Sequence, residues 1–164
     1  MAVTKSHTYD APLDKVIDMF SDPEAVTARY SGMGHREIEI RECERTADSL
    51  RIVCARVVDA ELPGFAKKVL SPTNTMVQTD EWHAEGGSWT GKFRVEVIGA
   101  PVEMSGSMDL KPDGDSTVHT VTIDMKVKVP LVGGKIADWV GKNEVPKTLQ
   151  AEFDAGDEWL ANNS

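Results

Sequence analysis

The sequence predicts an α+β fold in which an antiparallel sheet covers a long C-terminal helix. Residues 117–129 alternate apolar and polar side chains, which is typical of a strand with one buried face. Similar alternation recurs from residue 36 onward between Gly- and Pro-containing turns, as expected of a meander. Residues 136–160 then carry apolar side chains at helical spacing, and such a helix needs a sheet to cover its apolar face.

Length and charge limit the possible roles of the chain. Its 164 residues suffice for one domain with a substantial core, and we expect a single domain spanning residues 1–164. The net charge of −9 argues against nucleic acid, which is bound through clustered Lys and Arg. No apolar run approaches a membrane span, and residues 1–10 are too polar for a signal core. We therefore expect a cytoplasmic protein with no integral membrane association.

The N-terminal segment predicts a strand and two short helices. Residues 6–10 form the expected strand, and Pro12 fits the first turn of the helix that follows. Asp22 is a predicted N-cap for the second helix, with Pro23 in its first turn and Gly32 at its end.

Six further strands are expected before the last helix. The first two cover residues 36–44 and 49–59, and residues 61–73 form a loop with one helical turn. Turn signals at 85–87, 99–101 and 113–114 separate the remaining strands.

The Asp113-Gly114 turn predicts which residues of the last two strands face each other. A two-residue hairpin there places Met108 opposite His119 and Gly106 opposite Val121. The apolar side chains of both strands then lie on the same face of the sheet. Gly91 and Gly106 lie at positions that face inward. The missing side chain at such a position either leaves space on the inner face or marks a sharp bend of the strand.

One acidic residue next to Trp82 is expected to point inward, but two registers are open. A two-residue turn at 86–87 places Asp80 and Trp82 on the inner face, whereas a longer turn places Glu81 and His83 there. An inward carboxylate needs a partner. It is open to three interpretations: a solvated acid near the strand end, a polar anchor in a cavity, or one half of an acid–base pair.

The last helix is expected to be bent. Pro146 removes a backbone hydrogen bond, so we predict a kink near residues 142–146 and a bent lid over the sheet. The Gly133-Gly134 pair shapes the entry to this helix. Cys43 and Cys54 are expected to be free, buried thiols, with the alternative that a turn centred on 48–49 places them opposite each other.

The second half of the chain resembles a known superfamily. The similarity is carried by the order and spacing of Trp89, Gly91, Phe93, Val95, Gly99, Pro101, Gly106, Pro112-Asp113-Gly114 and residues 127–136, within the region 82–136. This pattern, with the order of the elements, resembles the helix-grip fold of the START and Bet v-like (SRPBCC) superfamily, and within it an actinobacterial branch with no assigned function.

The resemblance implies a curved sheet of about seven strands with the C-terminal helix packed on its concave face. Between them, relatives hold sterols, lipids, polyketides or plant hormones, and some relatives are cyclases or aromatases. The fold therefore does not decide between binding and catalysis.

The sequence contains no recognised catalytic motif. The four histidines lack metal-ligand spacing, and there is neither a Gly-x-Ser-x-Gly elbow nor a glycine-rich nucleotide loop. We accordingly predict no catalytic residue, cofactor or metal. His119 is open to three interpretations: a hydrogen-bonded core histidine, a ligand contact or a proton-transfer group.

The leading hypothesis is a protein that binds a small hydrophobic molecule between sheet and helix. The residues predicted to line its cavity are Phe65, Trp82, Trp89, Phe93, Val95, Met104, Met108, His119, Val121, Ile123, Met125 and Trp139. A second hypothesis is a cyclase, aromatase or hydratase-like enzyme that uses His119 with Asp80 or Glu81. A third is an interaction module with a filled core.

Overall fold

Residues 2–163, which the computed structural model describes, form a seven-stranded antiparallel sheet and helices packed against one of its faces. The strands are β1 (Ala2–Tyr9), β2 (Arg36–Arg45), β3 (Ser49–Asp59), β4 (Thr73–Glu85), β5 (Ser88–Val97), β6 (Val102–Asp113) and β7 (Ser116–Val127). The helices are α1 (Leu13–Ser21), α2 (Pro23–Gly32), α3 (Gly64–Lys67), α4 (Gly133–Asn143) and α5 (Val145–Asn162). The strand order is β1-β7-β6-β5-β4-β3-β2, so β1 and β2 form the edges.

The first third of the chain follows the sequence prediction closely. The Asp22 carboxylate accepts a hydrogen bond from the backbone N–H of Glu24 at 3.0 Å, and Pro23 begins α2, which ends at Gly32. Strand β1 begins at Ala2, earlier than the predicted residue 6. The predicted helical turn within 61–73 is α3.

Alternating side chains give the sheet its buried and exposed faces. In β5 the side chains of Trp89, Phe93 and Val95 are buried, whereas Lys92 and Arg94 are exposed. The same parity holds across β6 and β7, as predicted. One face of the sheet therefore supplies the core.

The predicted register between β6 and β7 was wrong by two residues. His119 lies opposite Leu110, and Met108 lies opposite Val121. The two turn residues are Gly114 and Asp115. Gly114 is the first of them and has a φ of 60°, as a type II′ turn requires of glycine at that position. A shift of two residues keeps the parity, so the inner face was still predicted correctly.

The turn between β4 and β5 settles the position of the inward acid. Gly86 and Gly87 form a two-residue loop, which places Asp80 opposite Phe93 on the inner face. Glu81 points outward, where its carboxylate accepts a hydrogen bond from Arg51 Nη1 at 2.6 Å. The first of the two predicted registers is therefore the correct one.

The two cysteines do not face each other. Cys43 lies opposite Ile52 and Cys54 opposite Ile40, because the turn between β2 and β3 is closed by the pair of residues 45 and 50. Both thiols are free. The alternative of opposed cysteines was wrong, since it placed the turn one residue too far along the chain.

The C-terminal helix breaks where predicted. Helix α4 ends at Asn143 and α5 begins at Val145, with Pro146 in its first turn. A Cβ atom on Gly156 would lie 2.7 Å from Tyr9 Cε1, so glycine at this position lets α5 approach β1 closely. Within residues 2–163, none of the helices combines the length and apolar character needed to cross a membrane.

Candidate functional site

A cavity of about 190 Å³ lies between the inner face of the sheet and helices α4 and α5. Its apolar wall consists of Val95, Val97, Val102, Met104, Met108, Val121, Ile123 and Met125 from the sheet and Val140, Val145 and Leu149 from the helices. Exposed Asp59, Ser71 and Thr148 also belong to the wall, so the cavity opens to solvent at that end. The opening lies beside the break between α4 and α5.

Most residues predicted to line a cavity are on this wall. They are Trp82, Phe93, Val95, Met104, Met108, His119, Val121, Ile123 and Met125. They come together because β4 to β7 are neighbours and these positions share the inward parity.

Three of the predicted residues do not lie on this wall. Trp89 is buried at the start of β5, where the Arg45 guanidinium lies 5.1 Å from its ring centroid. The Phe65 ring packs under the Lys135 ammonium at 4.3 Å, and Trp139 packs against the outside of the core from α4. Parity predicts which face a side chain occupies but not how far along the strands a cavity extends.

Two glycines create room for the aromatic wall. A Cβ atom on Gly91 would lie 2.9 Å from Trp82 Cδ2, and one on Gly106 would lie 2.6 Å from Phe93 Cζ. A Cβ on Gly106 would also collide with the Thr122 carbonyl oxygen. Of the two roles expected for these inward glycines, the structure shows that they make room.

Sequence reasoning missed the polar part of the wall. Arg56, Gln78 and Glu152 line the cavity, and so does His35. Arg56 lies on the same face of β3 as Ile52 and Cys54, and Gln78 lies on the same face of β4 as Asp80. Alternation along each strand could therefore have identified Arg56 and Gln78 as inward-facing. No position was assigned to Arg56, Gln78 or Glu152 from the sequence.

Arg56 is buried and held in a fixed orientation. Its Nε donates to His35 Nδ1 at 3.1 Å and its Nη2 donates to Gln78 Oε1 at 2.8 Å. The guanidinium lies 4.0 Å above the ring centroid of Tyr30. Burial, followed by the nearby charge of Arg56, lowers the pKa of His35 to about 4, so both hydrogen-bonding partners of Arg56 are neutral at physiological pH. Its Nη1 is covered by protein and has no partner among residues 2–163.

Asp80 continues this network toward α5. Gln78 Nε2 donates to Asp80 Oδ1 at 2.9 Å. Burial raises the pKa of Asp80 to about 6, and the carboxylate of Glu152 adds to the increase, whereas Gln78 and the two arginines oppose it. Asp80 is enclosed by the protein but retains accessible surface because it faces the cavity.

A second, small space of about 10 Å³ adjoins the cavity. Arg29, Gln78, Asp80 and Glu152 all border it. Arg29 is 3 % exposed, and its guanidinium lies 4.7 Å from the Phe20 ring centroid. A space of this size is about what one water molecule needs, and its polar border suits one.

His119 is a neutral histidine in an aromatic cage. Its ring centroid lies 5.2 Å from that of Phe20, 5.5 Å from Phe153 and 5.9 Å from Tyr9. Both ring nitrogens are covered and have no hydrogen-bond partner among residues 2–163. Burial, with a contribution from Arg29, lowers the pKa of His119 to about 3. Of the three interpretations of His119, a hydrogen bond to a protein neighbour is therefore not found among residues 2–163.

The positions of these side chains bear on the enzyme hypothesis and on the interaction-module hypothesis. Of the predicted acid–base groups, Asp80 faces the cavity and Glu81 points outward, whereas both His119 nitrogens are covered by protein. The interaction-module hypothesis required a filled core, and the cavity contradicts it. Within residues 2–163, no three His, Cys, Asp or Glu side chains are grouped so that they could hold a metal ion.

The fold defines the class of the protein: it is a helix-grip fold, which solved structures of START and Bet v-like proteins share. A START superfamily protein from Mycobacterium smegmatis matches with a TM-score of 0.55 and 18% identity, over 99% of both chains. A protein of Thermus thermophilus matches with a TM-score of 0.73 and 16% identity, over 100% of this chain and 99% of the other. Human STARD10 matches with a TM-score of 0.63 and 13% identity, over 98% of this chain and 66% of STARD10.

Within this class the chain belongs to one family. A family model described as "Protein of unknown function (DUF2505)" matches residues 4–160, which is nearly the whole chain. A comparison with curated proteins found no match.

Proposed function

We propose that the protein binds a small hydrophobic molecule in the cavity between the sheet and helices α4 and α5. The observation that carries this proposal is the apolar cavity, whose wall includes Met104, Met108 and Met125. Methionine side chains are flexible and polarisable, so such a wall adapts to ligands of varied shape. The helix-grip fold supports the proposal, because relatives place their ligands between sheet and terminal helix.

The size of the cavity limits the ligand. An apolar cavity of about 150 Å³ binds benzene. The 190 Å³ available here suits a ligand with one ring or a short acyl chain. A whole sterol, lipid or polyketide requires the cavity to widen at its opening, where the break at Glu144 separates α4 from α5.

Binding of naphthalene, a small neutral fluorophore that a cavity of this size can hold, tests the proposal directly. Ile123 lies on the cavity wall, so Ile123→Trp fills the space and is expected to lower probe affinity at least about tenfold. Lys126→Trp is the matched control, because Lys126 belongs to the same strand but is exposed on the outer face. The proposal fails if the wild-type protein binds no apolar probe, or if both variants bind as the wild type does.

A co-purifying ligand provides a second test. Organic extraction of freshly purified protein, followed by mass spectrometry, is expected to release an apolar molecule that is absent from an extract of Ile123→Trp. An identical set of molecules from both proteins contradicts specific binding in the cavity.

We also infer that the protein acts in the cytoplasm as a single domain spanning residues 1–164, and that nucleic acid is not its partner. The net charge of −9 supports the last point, because it repels phosphate. Retention of a labelled DNA or RNA fragment at physiological salt would contradict it.

A further inference from the structure

The polar part of the cavity wall is predominantly acidic. Asp80 and Glu152 lie on the wall, and Glu144 and Asp59 lie nearer the opening. Within residues 2–163, Arg56 is the only Arg or Lys that lines the main cavity, and Arg29 borders the small space beside Asp80 and Glu152, so four carboxylates lie near two guanidinium groups. Since Coulomb interactions are strong in a partly dry cavity, this excess of carboxylates favours a positively charged ligand group over a negative one.

The carboxylates have oxygens available to a ligand. Asp80 Oδ1 accepts from Gln78. Within residues 2–163, Asp80 Oδ2 and both Glu152 oxygens accept no side-chain or backbone hydrogen bond, yet none of them is fully covered by protein atoms. Buried carboxylates normally have donors around them. These two groups therefore have acceptor capacity that a donor in the cavity can use.

Asp80 and Glu152 are also close enough to act together. Both border the small space of about 10 Å³ as well as the main cavity. Like charges that share such a space repel each other, in line with the contribution of Glu152 to the raised pKa of Asp80, and Arg29 opposes that contribution. A cation bound between the two carboxylates reduces their repulsion further.

The arginine on the wall has most of its donors covered or engaged. Nη1 of Arg56 is covered, Nε donates to His35, and one of the two Nη2 N–H groups donates to Gln78. Its charge opposes a bound cation, but its position is fixed by the Tyr30 ring and by these hydrogen bonds. Among the charged groups of this wall, the carboxylates therefore offer more atoms to a ligand than the guanidinium does.

Aromatic rings complete the surroundings of the acids. Phe20, Trp82 and Phe93 line the same cavity, and Asp80 is paired with Phe93 across β4 and β5. The faces of aromatic rings attract cations, and their area also packs against the carbon atoms next to a charged group.

We propose that the ligand is an amine whose ammonium group binds Asp80 and Glu152 and whose apolar body packs against the methionine-lined wall. This inference rests on the proposed function and adds the chemical class of the ligand. The ammonium group supplies N–H donors to the free carboxylate oxygens, and a body of one ring or a short alkyl chain fits the cavity.

Three ligands with the same eight-carbon chain test the proposal. Octylamine, octan-1-ol and octanoate are titrated into the wild-type protein at neutral pH by calorimetry. Octylamine is expected to bind about 10- to 100-fold more tightly than octan-1-ol, because a charge-assisted hydrogen bond replaces a neutral one. Octanoate is expected to bind most weakly.

Two variants identify the residues responsible. Asp80→Asn and Glu152→Gln are each expected to reduce octylamine affinity about tenfold or more while leaving octan-1-ol affinity within about twofold. Glu158→Gln is the matched control, because Glu158 lies on α5 but is exposed and away from the cavity. Thermal unfolding of each variant checks that the fold is retained.

The outcomes separate this inference from the proposed function. Binding of octan-1-ol without any preference for octylamine overturns the amine but leaves hydrophobic binding intact. Tighter binding of octanoate also overturns it and indicates Arg56 as the anchor. An equal loss of octylamine and octan-1-ol affinity in Asp80→Asn and Glu152→Gln contradicts a charge-specific role. Failure of all three ligands to bind counts against the proposed function itself.

Discussion

The Phe93 ring occupies the space that a side chain at position 106 would fill. A Cβ atom added to Gly106 would lie only 2.6 Å from Phe93 Cζ. The two residues are paired across β5 and β6. The ring in this position forms part of the cavity wall. A glycine in the strand thus determines the shape of the wall.

Gly106→Ala is expected to destabilise the protein by about 2–3 kcal/mol, because the added methyl group collides with the Phe93 ring and the Thr122 carbonyl. Chemical denaturation measures the loss. Gly134→Ala is the control: a Cβ there meets nothing within 4 Å, and alanine favours helix α4, so stability is expected to stay equal or rise. Equal effects of the two substitutions would contradict the close approach at Gly106.

Asp80→Asn is expected to stabilise the protein at neutral pH by about 1–2 kcal/mol. The folded-state pKa of Asp80 is about 6, above its ordinary 3.8, so the folded protein holds a proton that the unfolded chain releases. The wild type therefore loses stability as pH rises from about 4 to 6, and the variant does not. Denaturation curves at several pH values measure the difference, which is expected to vanish near pH 4.

Glu81→Gln is the matched control for this prediction. Glu81 is the next residue of β4, but it points outward to Arg51. Its replacement is expected to change stability by less than about 1 kcal/mol, as for other exposed ion pairs. A neutral-pH destabilisation in Asp80→Asn would show that the carboxylate is not strained by burial.

His119→Phe is expected to raise stability at neutral pH by about 1 kcal/mol, because it replaces two uncompensated buried polar atoms with an apolar ring. The gain is expected to grow on acidification. The unfolded chain takes up a proton near pH 6.5, but burial lowers the folded-state pKa of His119 to about 3, so the wild type loses stability as pH falls between these values.

The control for His119 is His83→Phe at an exposed position of β4. Its effect is expected to remain within about 0.5 kcal/mol at neutral pH. Thermal denaturation of both variants between neutral and acidic pH checks the prediction. A destabilised His119→Phe would indicate that a buried hydrogen-bonding partner, such as water, satisfies the imidazole.

Cys43 and Cys54 are expected to remain free thiols under mild oxidation, because each faces an isoleucine across β2 and β3. Intact-mass analysis after oxidation tests for the loss of two hydrogen atoms. Ile52→Cys is a positive control, since residue 52 lies opposite Cys43 and the pair has the spacing of strand neighbours. An intramolecular disulfide in the wild type would contradict the register of β2 and β3.

The inner face of the sheet was predictable because alternation has a period of two residues. An error of two in the β6–β7 register therefore left His119, Val121 and Met125 on the correct side. The break at Pro146 was predictable for an equally local reason, since proline lacks the N–H that a helix interior needs.

The extent of the cavity was not predictable in this way. Trp89 and Phe93 have the same parity in the same strand, yet only Phe93 lines the cavity. Whether a side chain of β5 lines the cavity depends on which helix residues lie over that end of the strand. Their position follows from the path of the chain between Val127 and α5, which local sequence patterns do not give.

The sequence by itself determined the order of the elements, the buried face of most strands and the break in the last helix, because these depend on periodicity, glycine and proline over a few neighbouring residues. Only the tertiary structure decided that Arg56, Asp80 and Glu152 share one cavity and that the His119 nitrogens are covered. Those relationships depend on how α5 packs across the sheet. The residues involved are far apart in the chain, so their burial and charge interactions exist only after folding.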